Sequence, residues 1–287
     1  MKYLLIPLLS LLATSKITLQ SKFSKTDNSN ITDNIFYNFM MFVTVALLLS
    51  PVIFKNGVSI STLVCGIIMG VLSVAFQFFY ICAFTKGKMS LTVIINNFSM
   101  ILPMAVSFVL FDEKLNAFKI VGTVLALISF VLNVKKDKTN KTSGEWLFYI
   151  ILVFFSNGLL TVNQKLYASY TKDLQVFEFV AVTYITAAVL TFIILAVSSL
   201  KNKSNVFKKP KRTVISGCLV GIFLGAFQCL NTYAASVIEG TILYSTYNCG
   251  VSLLSVLVGR FLLKEKLSMM QYAGVITGTV AIILLCL

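Results

Sequence analysis

Apolar runs of about 20 residues, the length that a helix needs to cross the hydrocarbon core of a bilayer, follow one another along almost the whole chain. Of the 287 residues, 57% are hydrophobic and only 12% are charged, whereas a soluble domain averages about 25% charged residues. We therefore predict an all-α integral membrane protein with ten transmembrane helices. The predicted spans are 3–23, 35–54, 59–84, 89–110, 116–134, 146–168, 175–199, 213–236, 240–263 and 268–287.

The first run has the basic start and apolar core of a signal peptide. It lacks a small-x-small cleavage site, and weakly apolar character continues to Phe23. We therefore interpret it as a retained first helix.

The positive charges of the chain are distributed unevenly over the predicted connections. The net charge is +14, and 17 of the 24 Lys and Arg residues lie on one side of the predicted membrane. Six lie on the other side, and Lys16 lies within a span. Because positive charge marks the cytoplasmic side, this pattern predicts a topology signal rather than a nucleic-acid interface. It places both termini outside the cell. We expect the lipid bilayer to be a partner of this chain.

The sequence offers little for metal, cofactor or enzyme chemistry. It contains no histidine, and its six cysteines lie in apolar runs without a Cys-x-x-Cys pair. No Asp or Glu lies in the middle of a predicted span. We therefore predict no metal, no cofactor and no enzymatic activity.

An internal repeat divides the chain into two halves. With an offset of 151 residues, Gly70 aligns with Gly221 and the segment "AFQ" at Gln77 recurs at Gln228. With an offset of 152, "EKLNAFKIVG" aligns with "EKLSMMQYAG". The basic connection 135–144 joins the halves, which we define as 1–144 and 145–287. Each half has five spans, an odd number, so the second half enters the membrane from the opposite side. The sequence thus predicts two inverted five-helix repeats, as found in secondary transporters.

These features resemble the drug/metabolite transporter superfamily, in particular its EamA-type members. The resemblance is carried by five-helix halves, a polar fourth helix, "EKL" before a Gly-containing fifth helix, and Pro103 ten residues before Glu113. The second half departs from the pattern, since Ser255 stands where the proline is expected. The resemblance implies transport through a central cavity lined by helices one, three, four, six, eight and nine.

Polar side chains inside apolar spans are the candidates for substrate binding. An unsatisfied polar group in hydrocarbon costs several kcal/mol, so such residues face other helices or a water-filled cavity. Hydrogen bonding between helices, worth about 0.6–2 kcal/mol per residue, is the open alternative for each of them. The helix-six candidate is chosen from a polar set that also includes Asn157, Thr161 and Gln164. The predicted substrate-binding residues are Lys16, Gln77, Tyr80, Asn96, Asn97, Asn163, Gln228, Asn231, Tyr244, Tyr247 and Asn248.

Lys16 is the one basic residue that the charge count assigns to neither side of the membrane. Its long side chain can reach towards the membrane surface and keep the ammonium group in water. Alternatively, the ammonium group lies in the cavity, in which case we expect substrates that bear a carboxylate or a phosphate.

Together these observations predict a transporter that moves a small polar or amphipathic metabolite, such as an amino acid, by alternating access at the repeat interface. The aromatic content also permits an organic-cation or drug exporter that uses cation–π contacts. A lipid-carrier flippase on the same fold and a passive channel are further alternatives. We expect a small-molecule substrate, no nucleic acid and a location in the cell membrane, and the oligomeric state is left open.

Overall fold

The computed structural model describes residues 2–27, 31–86, 92, 96–111, 116–133, 144–202, 211–261 and 268–286. These residues form ten α-helices after one 3-10 turn at Lys2–Leu4, and none of them lies in a strand. A further helical turn at 96–98 precedes α4. The helices are α1 (Leu5–Asp27), α2 (Ile31–Asn56), α3 (Ile60–Lys86), α4 (Ile101–Leu110), α5 (Ala117–Asn133), α6 (Gly144–Tyr170), α7 (Val176–Asn202), α8 (Lys211–Val237), α9 (Gly240–Phe261) and α10 (Met269–Cys286).

Each predicted span overlaps one of these helices, but the helices differ in length, and residues 89–91 and 93–95 of the fourth span lie outside the described residues. Seven stretches are long and apolar enough to cross a membrane, and they belong to α1, α2, α3, α6, α7, α8 and α9. The other three, Asn96–Leu110, Ala117–Leu132 and Met269–Leu285, have 17 residues or fewer. The prediction of an all-helical chain with several membrane-spanning segments is confirmed. That all ten helices cross the membrane stays a prediction.

The outer surface of the helices is apolar. Large hydrophobic side chains are exposed along the bundle, for example Val71 on α3, Val124 on α5 and Ile193 on α7. Polar side chains such as Gln164 and Asn231 are instead buried between helices. This inside-out arrangement is what a lipid environment requires, because hydrocarbon cannot hydrogen-bond to polar groups.

The strongest helix contacts join the first five helices to the last five. Helix α2 packs against α7, α4 against α9 and α5 against α10. Helix α3 packs against α6 and α7, whereas α8 packs against α1 and α2. Exchanging each helix for the one five places away reproduces this set of pairs.

The same exchange relates individual close contacts. A Cβ atom on Gly70 of α3 would lie 2.7 Å from Cβ of Thr186 on α7, and one on Gly221 of α8 would lie 2.8 Å from Cβ of Thr44 on α2. The two glycines are 151 positions apart and the two threonines 142. Small residues at these positions allow the helix backbones to approach closely.

A second matched contact joins α5 and α10. A Cβ atom on Gly122 would lie 3.2 Å from the carbonyl oxygen of Ala281. Reciprocally, the hydroxyl of Ser129 donates a 2.7 Å hydrogen bond to the carbonyl oxygen of Gly274. Gly122 and Gly274 are 152 positions apart, as are Ser129 and Ala281. The contact between these two helices is therefore nearly self-complementary.

The fourth span is interrupted just before α4. Ser99 and Met100 form a turn between the helical turn at 96–98 and α4. Pro103 explains the interruption, because it lacks the N–H group that would bond to the carbonyl of Ser99 in a continuous helix. The N–H of Leu102 bonds to that carbonyl instead, at 3.1 Å. Helix α9 has Ser255 at the equivalent position and runs from Gly240 to Phe261 without interruption.

Lys165 requires a correction to the charge assignment, in which it counted among the residues of the outer connections. The structure places it inside α6, and it is only 5% exposed. Its ammonium group donates 3.1 Å hydrogen bonds to the carbonyl oxygens of Ala235 and Ile238. These carbonyls lie at the C-terminal end of α8, where a positive charge is favoured by the helix dipole. Lys165 is therefore a helix-capping residue.

Candidate functional site

A polar cavity lies between the interrupted fourth span, α6 and α9. Its empty volume, which includes space open to solvent, is about 230 Å³. Five of the predicted substrate-binding residues contribute to it. The lining residues are Asn96, Asn97, Ser99, Met100, Asn157, Thr161, Tyr244, Tyr247 and Asn248.

Helix α6 presents a stripe of polar residues to this cavity. Asn157, Thr161 and Gln164 follow one another at spacings of four and three residues, which places them on one face of a helix. The side-chain amide of Asn157 donates hydrogen bonds to the hydroxyl of Ser99 at 2.6 Å and to the carbonyl of Asn96 at 3.3 Å. Asn157 thus donates hydrogen bonds at the interruption before α4, where the backbone lacks the regular hydrogen bonds of a helix.

Helix α9 contributes the opposite wall. Tyr244 is fully buried, and its hydroxyl donates a long 3.5 Å hydrogen bond to the carbonyl of Thr161. The side chain of Asn248 donates a 2.8 Å bond to the carbonyl of Tyr244, one turn earlier in the helix. The rings of Tyr244 and Tyr247 lie edge to face with centroids 6.3 Å apart. The wall therefore combines hydroxyl and amide groups with aromatic surface.

A buried cluster of amides continues the polar stripe between α6 and α8. Gln164 donates to the hydroxyl of Thr232 at 2.8 Å and to Oε1 of Gln228 at 3.4 Å. Asn231 donates to Oε1 of Gln164 at 2.8 Å. All four side chains are less than 10% exposed. Two predicted residues, Gln228 and Asn231, belong to this cluster.

Two amide oxygens near the cavity have no hydrogen-bond donor among the described residues. They are Oδ1 of Asn96 and Oδ1 of Asn231, and both atoms are buried. Leaving a buried acceptor without a donor costs about 1–3 kcal/mol. Such groups call for a specific explanation, and a ligand that donates a hydrogen bond supplies one.

Lys16 lies beside the same aromatic wall. Its ammonium nitrogen is 5.7 Å from the ring centroid of Phe227 on α8. The Phe227 ring is 5.9 Å from the ring of Tyr247, which lines the cavity. No Asp or Glu in the described part of the chain forms an ion pair with Lys16.

The remaining three predicted residues lie on α3 or face it. Gln77 lines a separate small cavity with residues that include Asn38 of α2 and Thr191 of α7. Tyr80 stacks obliquely on Phe76 within α3, with ring centroids 5.3 Å apart. Asn163 donates a 3.0 Å hydrogen bond to the carbonyl of Cys65 on α3. The structure does not bring these three residues to the cavity.

The residues that the predicted set omitted are Ser99, Asn157, Thr161 and Gln164. The signal that identifies three of them is helical spacing. Asn157, Thr161 and Gln164 share one face of α6, whereas Asn163 lies about 120° away at ~3.6 residues per turn. A choice made by periodicity would have favoured Asn157 over Asn163.

Within the described ranges, no cluster of three His, Cys, Asp or Glu side chains is arranged to hold a metal ion. The cavity lining is made of amides, hydroxyls, aromatic rings and one methionine. Such a lining suits binding of an organic solute by hydrogen bonds and ring contacts.

Comparison with known proteins extends these observations. An uncharacterized protein of Haemophilus influenzae (strain ATCC 51907 / DSM 11121 / KW20 / Rd) is 24% identical over 188 residues, which is 64% of this chain and 62% of the relative. The match thus spans less than two thirds of that relative's length. One solved crystal structure has 14% sequence identity and a TM-score of 0.72, and the match covers 97% of this chain and 95% of the other. This likeness shows a shared fold.

The family comparison covers both halves of the chain. The EamA-like transporter family matches at residues 1–135 and again at 144–287. Together with the long apolar helices, these matches identify an integral, multi-pass membrane protein. The chain belongs to the EamA-like transporter family, whose members are membrane transporters of small solutes.

Proposed function

We propose that the protein is a secondary transporter that carries a small polar metabolite, such as an amino acid, across the cell membrane by alternating access. The substrate binds in the polar cavity between the interrupted fourth span, α6 and α9. The observation that carries this proposal is the cavity itself. It gathers amides and tyrosines from both halves of an apolar helix bundle at a point where one helix is interrupted.

The interruption supports a binding role for the cavity. Irregular backbone inside a membrane bundle is tolerated where it is buried in protein or lines a cavity. In many transporters the substrate site is built from discontinuous helices near the interface of two repeats. Here the carbonyl of Asn96 and the hydroxyl of Ser99 lie within 3.3 Å of the amide nitrogen of Asn157. These groups form a polar wall that a continuous apolar helix would lack.

The matched contacts support an arrangement of ten spans in two inverted halves, 1–144 and 145–287. Gly70 meets α7 as Gly221 meets α2, and these pairs are exchanged when the halves are exchanged. An odd number of spans in each half gives the two halves opposite orientations in the membrane. Inverted halves of this kind can rock about a central site and expose it to each side in turn.

The surroundings of the cavity favour a neutral or anionic solute over an organic cation. Among the described residues, no carboxylate lines the cavity, so a cationic substrate would have no counter-charge from them. The ring of Phe227, which lies 5.9 Å from the cavity-lining Tyr247, is already approached by the ammonium group of Lys16. A second cation at the same ring would be repelled.

Counterflow into proteoliposomes tests the proposal. Vesicles containing the purified protein are preloaded with a mixture of polar metabolites, and uptake of labelled members of that mixture is measured as a function of concentration. We expect saturable uptake that depends on the internal load. Uptake that rises linearly and ignores the internal load would indicate a channel and contradict the proposal.

Two matched variants connect transport to the cavity. Asn157→Leu and Asn163→Leu make the same change six residues apart on α6, but only Asn157 lines the cavity. We expect Asn157→Leu to reduce counterflow strongly and Asn163→Leu to retain it. Both variants are compared with the wild type for elution in detergent and for thermal unfolding. Equal transport by two well-folded variants would remove the cavity from the mechanism.

A further inference from the structure

We infer that Lys16 is the specificity-determining residue of the cavity and that it selects substrates with a carboxylate next to an N–H donor, as in an α-amino acid. This inference rests on the transport function proposed above and narrows its substrate class.

Lys16 places a positive charge among apolar helices. The ammonium group of Lys16 lies inside a bundle of apolar helices, half-buried, 5.7 Å from the ring centroid of Phe227. A lysine at depth in a bilayer costs about 2.5–3.5 kcal/mol on insertion scales. A cation–π contact returns only about 0.5–2 kcal/mol. No carboxylate of the described residues pairs with Lys16, so an anion from a ligand would complete its surroundings.

Aromatic side chains connect Lys16 to the cavity. The ring of Phe227 is in contact with Lys16 on one side and lies 5.9 Å from the ring of Tyr247 on the other. Tyr247 lines the cavity. Helix α1 is fixed against this wall by Ser10, whose hydroxyl donates a 3.2 Å hydrogen bond to the carbonyl of Tyr247. The ring of Phe227 thus lies between Lys16 and the cavity-lining Tyr247, and α1 is fixed to the cavity wall at Ser10.

Asn231 provides a hydrogen-bond acceptor close to Phe227, the ring that Lys16 approaches. Asn231 follows Phe227 by four residues on α8, so the two side chains lie on the same face of the helix, about 5–6 Å apart at Cβ. Asn231 is 2% exposed, and its Oδ1 atom has no donor among the described residues. Its amide nitrogen already donates a hydrogen bond to Gln164, so the group without a partner is the acceptor oxygen. One small region thus offers a cation for a carboxylate and an acceptor for an N–H group.

A matched set of solutes tests this recognition. The labelled solutes are the proteinogenic amino acids, offered to proteoliposomes by counterflow. For L-valine the competitors are isobutylamine, which lacks the carboxylate, and isovalerate, which lacks the amine. For L-phenylalanine they are 2-phenylethylamine and 3-phenylpropanoate. We expect the carboxylates to compete with uptake and the amines to compete weakly or not at all.

Three lysine variants attribute the effect to one residue. Lys16→Met removes the charge and keeps much of the length, Lys16→Arg keeps the charge, and Lys172→Met removes one charge from an exposed position in the α6–α7 connection. We expect Lys16→Met to raise the half-saturating concentration by about tenfold or more, the usual cost of losing a charge-assisted hydrogen bond. Lys16→Arg should retain most of the affinity, and Lys172→Met should match the wild type.

The possible results separate the inference from the function. Unchanged affinity in Lys16→Met, or amines that compete as well as the amino acids, would overturn the inference and leave the transport function standing. Saturable counterflow restricted to solutes without a carboxylate would do the same. Absence of saturable counterflow for every solute in the wild type would overturn both. If Lys16→Met does not fold, two other results still overturn the inference. They are failure of Lys16→Arg to bind amino acids and competition by amines in the wild type.

Discussion

The side-chain amide of Asn231 donates a hydrogen bond of 2.8 Å to Oε1 of Gln164. This bond joins α8 to α6 at the centre of a cluster in which Gln164 also donates to Thr232 and Gln228. Gln164 is therefore the residue that contacts all three others, and Thr232 also donates to the carbonyl of Gln228 at 2.8 Å. Because the cluster is buried, its hydrogen bonds cannot be replaced by bulk water.

Replacing Gln164 with leucine should destabilise the protein more than the same change at Gln77. Leucine removes the acceptor of the Asn231 amide, and a buried group left unpaired costs about 1–3 kcal/mol. Thr232 keeps its hydrogen bond to the carbonyl of Gln228. Gln77 lies in a different cavity with Asn38 and Thr191 nearby. Thermal unfolding of both variants in the same detergent measures the difference. Equal unfolding temperatures would mean that the cluster contributes no special stability.

Transport should likewise distinguish the repeated glutamines. Gln228 belongs to the amide cluster next to the cavity, whereas Gln77 does not line that cavity. We expect counterflow to fall in Gln228→Leu and to persist in Gln77→Leu. Initial rates are measured at equal amounts of reconstituted protein. Loss of transport in both variants would instead support the sequence-based hypothesis that the two amides act as a pair.

Small residues at the matched helix contacts should be equally intolerant of enlargement. A Cβ atom on Gly70 would lie 2.6 Å from the carbonyl oxygen of Thr183, and one on Gly221 would lie 2.8 Å from that of Met41. Relieving such contacts requires movement of the backbone, so Gly70→Ala and Gly221→Ala should each cost about 1–3 kcal/mol. Gly144→Ala is the control, because a Cβ there meets no atom within 4 Å. Unfolding temperatures at or above the wild-type value for the first two variants would contradict this packing.

The ion pair between Lys119 and Glu239 joins the start of α5 to the connection between α8 and α9. Glu239 is nearly half exposed, so water screens the pair and we expect a contribution of about 0.5–1 kcal/mol. Lys119→Glu and Glu239→Lys should each lower the unfolding temperature, and the double exchange should restore it. The exchange also places an acid in the first turn of α5, where the helix dipole favours it. A double variant less stable than both single variants would exclude a direct pair.

The uneven charge distribution predicts that the segment around Asn205 faces the cytoplasm. Removing the buried Lys165 from the outer set leaves five basic residues there against seventeen on the other side. Asn205→Cys, in a variant without the native cysteines, should react with an impermeant maleimide only after the cells are permeabilised. Lys172→Cys is the matched position on the opposite side and should react in intact cells. The reverse pattern would invert the topology.

Length and hydrophobicity were sufficient to predict the helices, because a bilayer demands apolar segments of nearly constant length. They also identified five cavity residues, including Tyr247 and Asn248, since polar groups are rare in such segments. The choice of Asn163 over Asn157 had no such support. Both are asparagines in α6, and only the helical phase relative to α3 and α9 separates them.

The repeat was a poorer guide to the surroundings of individual residues. It predicted that Gln77 and Gln228 would be equivalent, yet a partner of Gln228 is Gln164. With an offset of 143 residues, which aligns Thr18 with Thr161, the position equivalent to Gln164 carries the much shorter Ser21. Lys165 was assigned to an outer connection because it lies near the end of an apolar run. Its burial depends on where α8 ends, and the sequence around Lys165 carries no information about that position.

The interruption before α4 makes the two halves of the protein energetically unequal. In a perfectly symmetric pair, exchanging the conformations of the halves would yield two states of identical free energy, one open to each side. Pro103 is present in one half, whereas the other has Ser255 and an unbroken helix. In the proposed alternating-access cycle, we expect the interrupted helix to bend at lower cost than its counterpart, which would favour one of the two states when no substrate is bound. For the transport cycle that we propose, we therefore expect a resting side, and we expect Pro103 to contribute to the choice of that side.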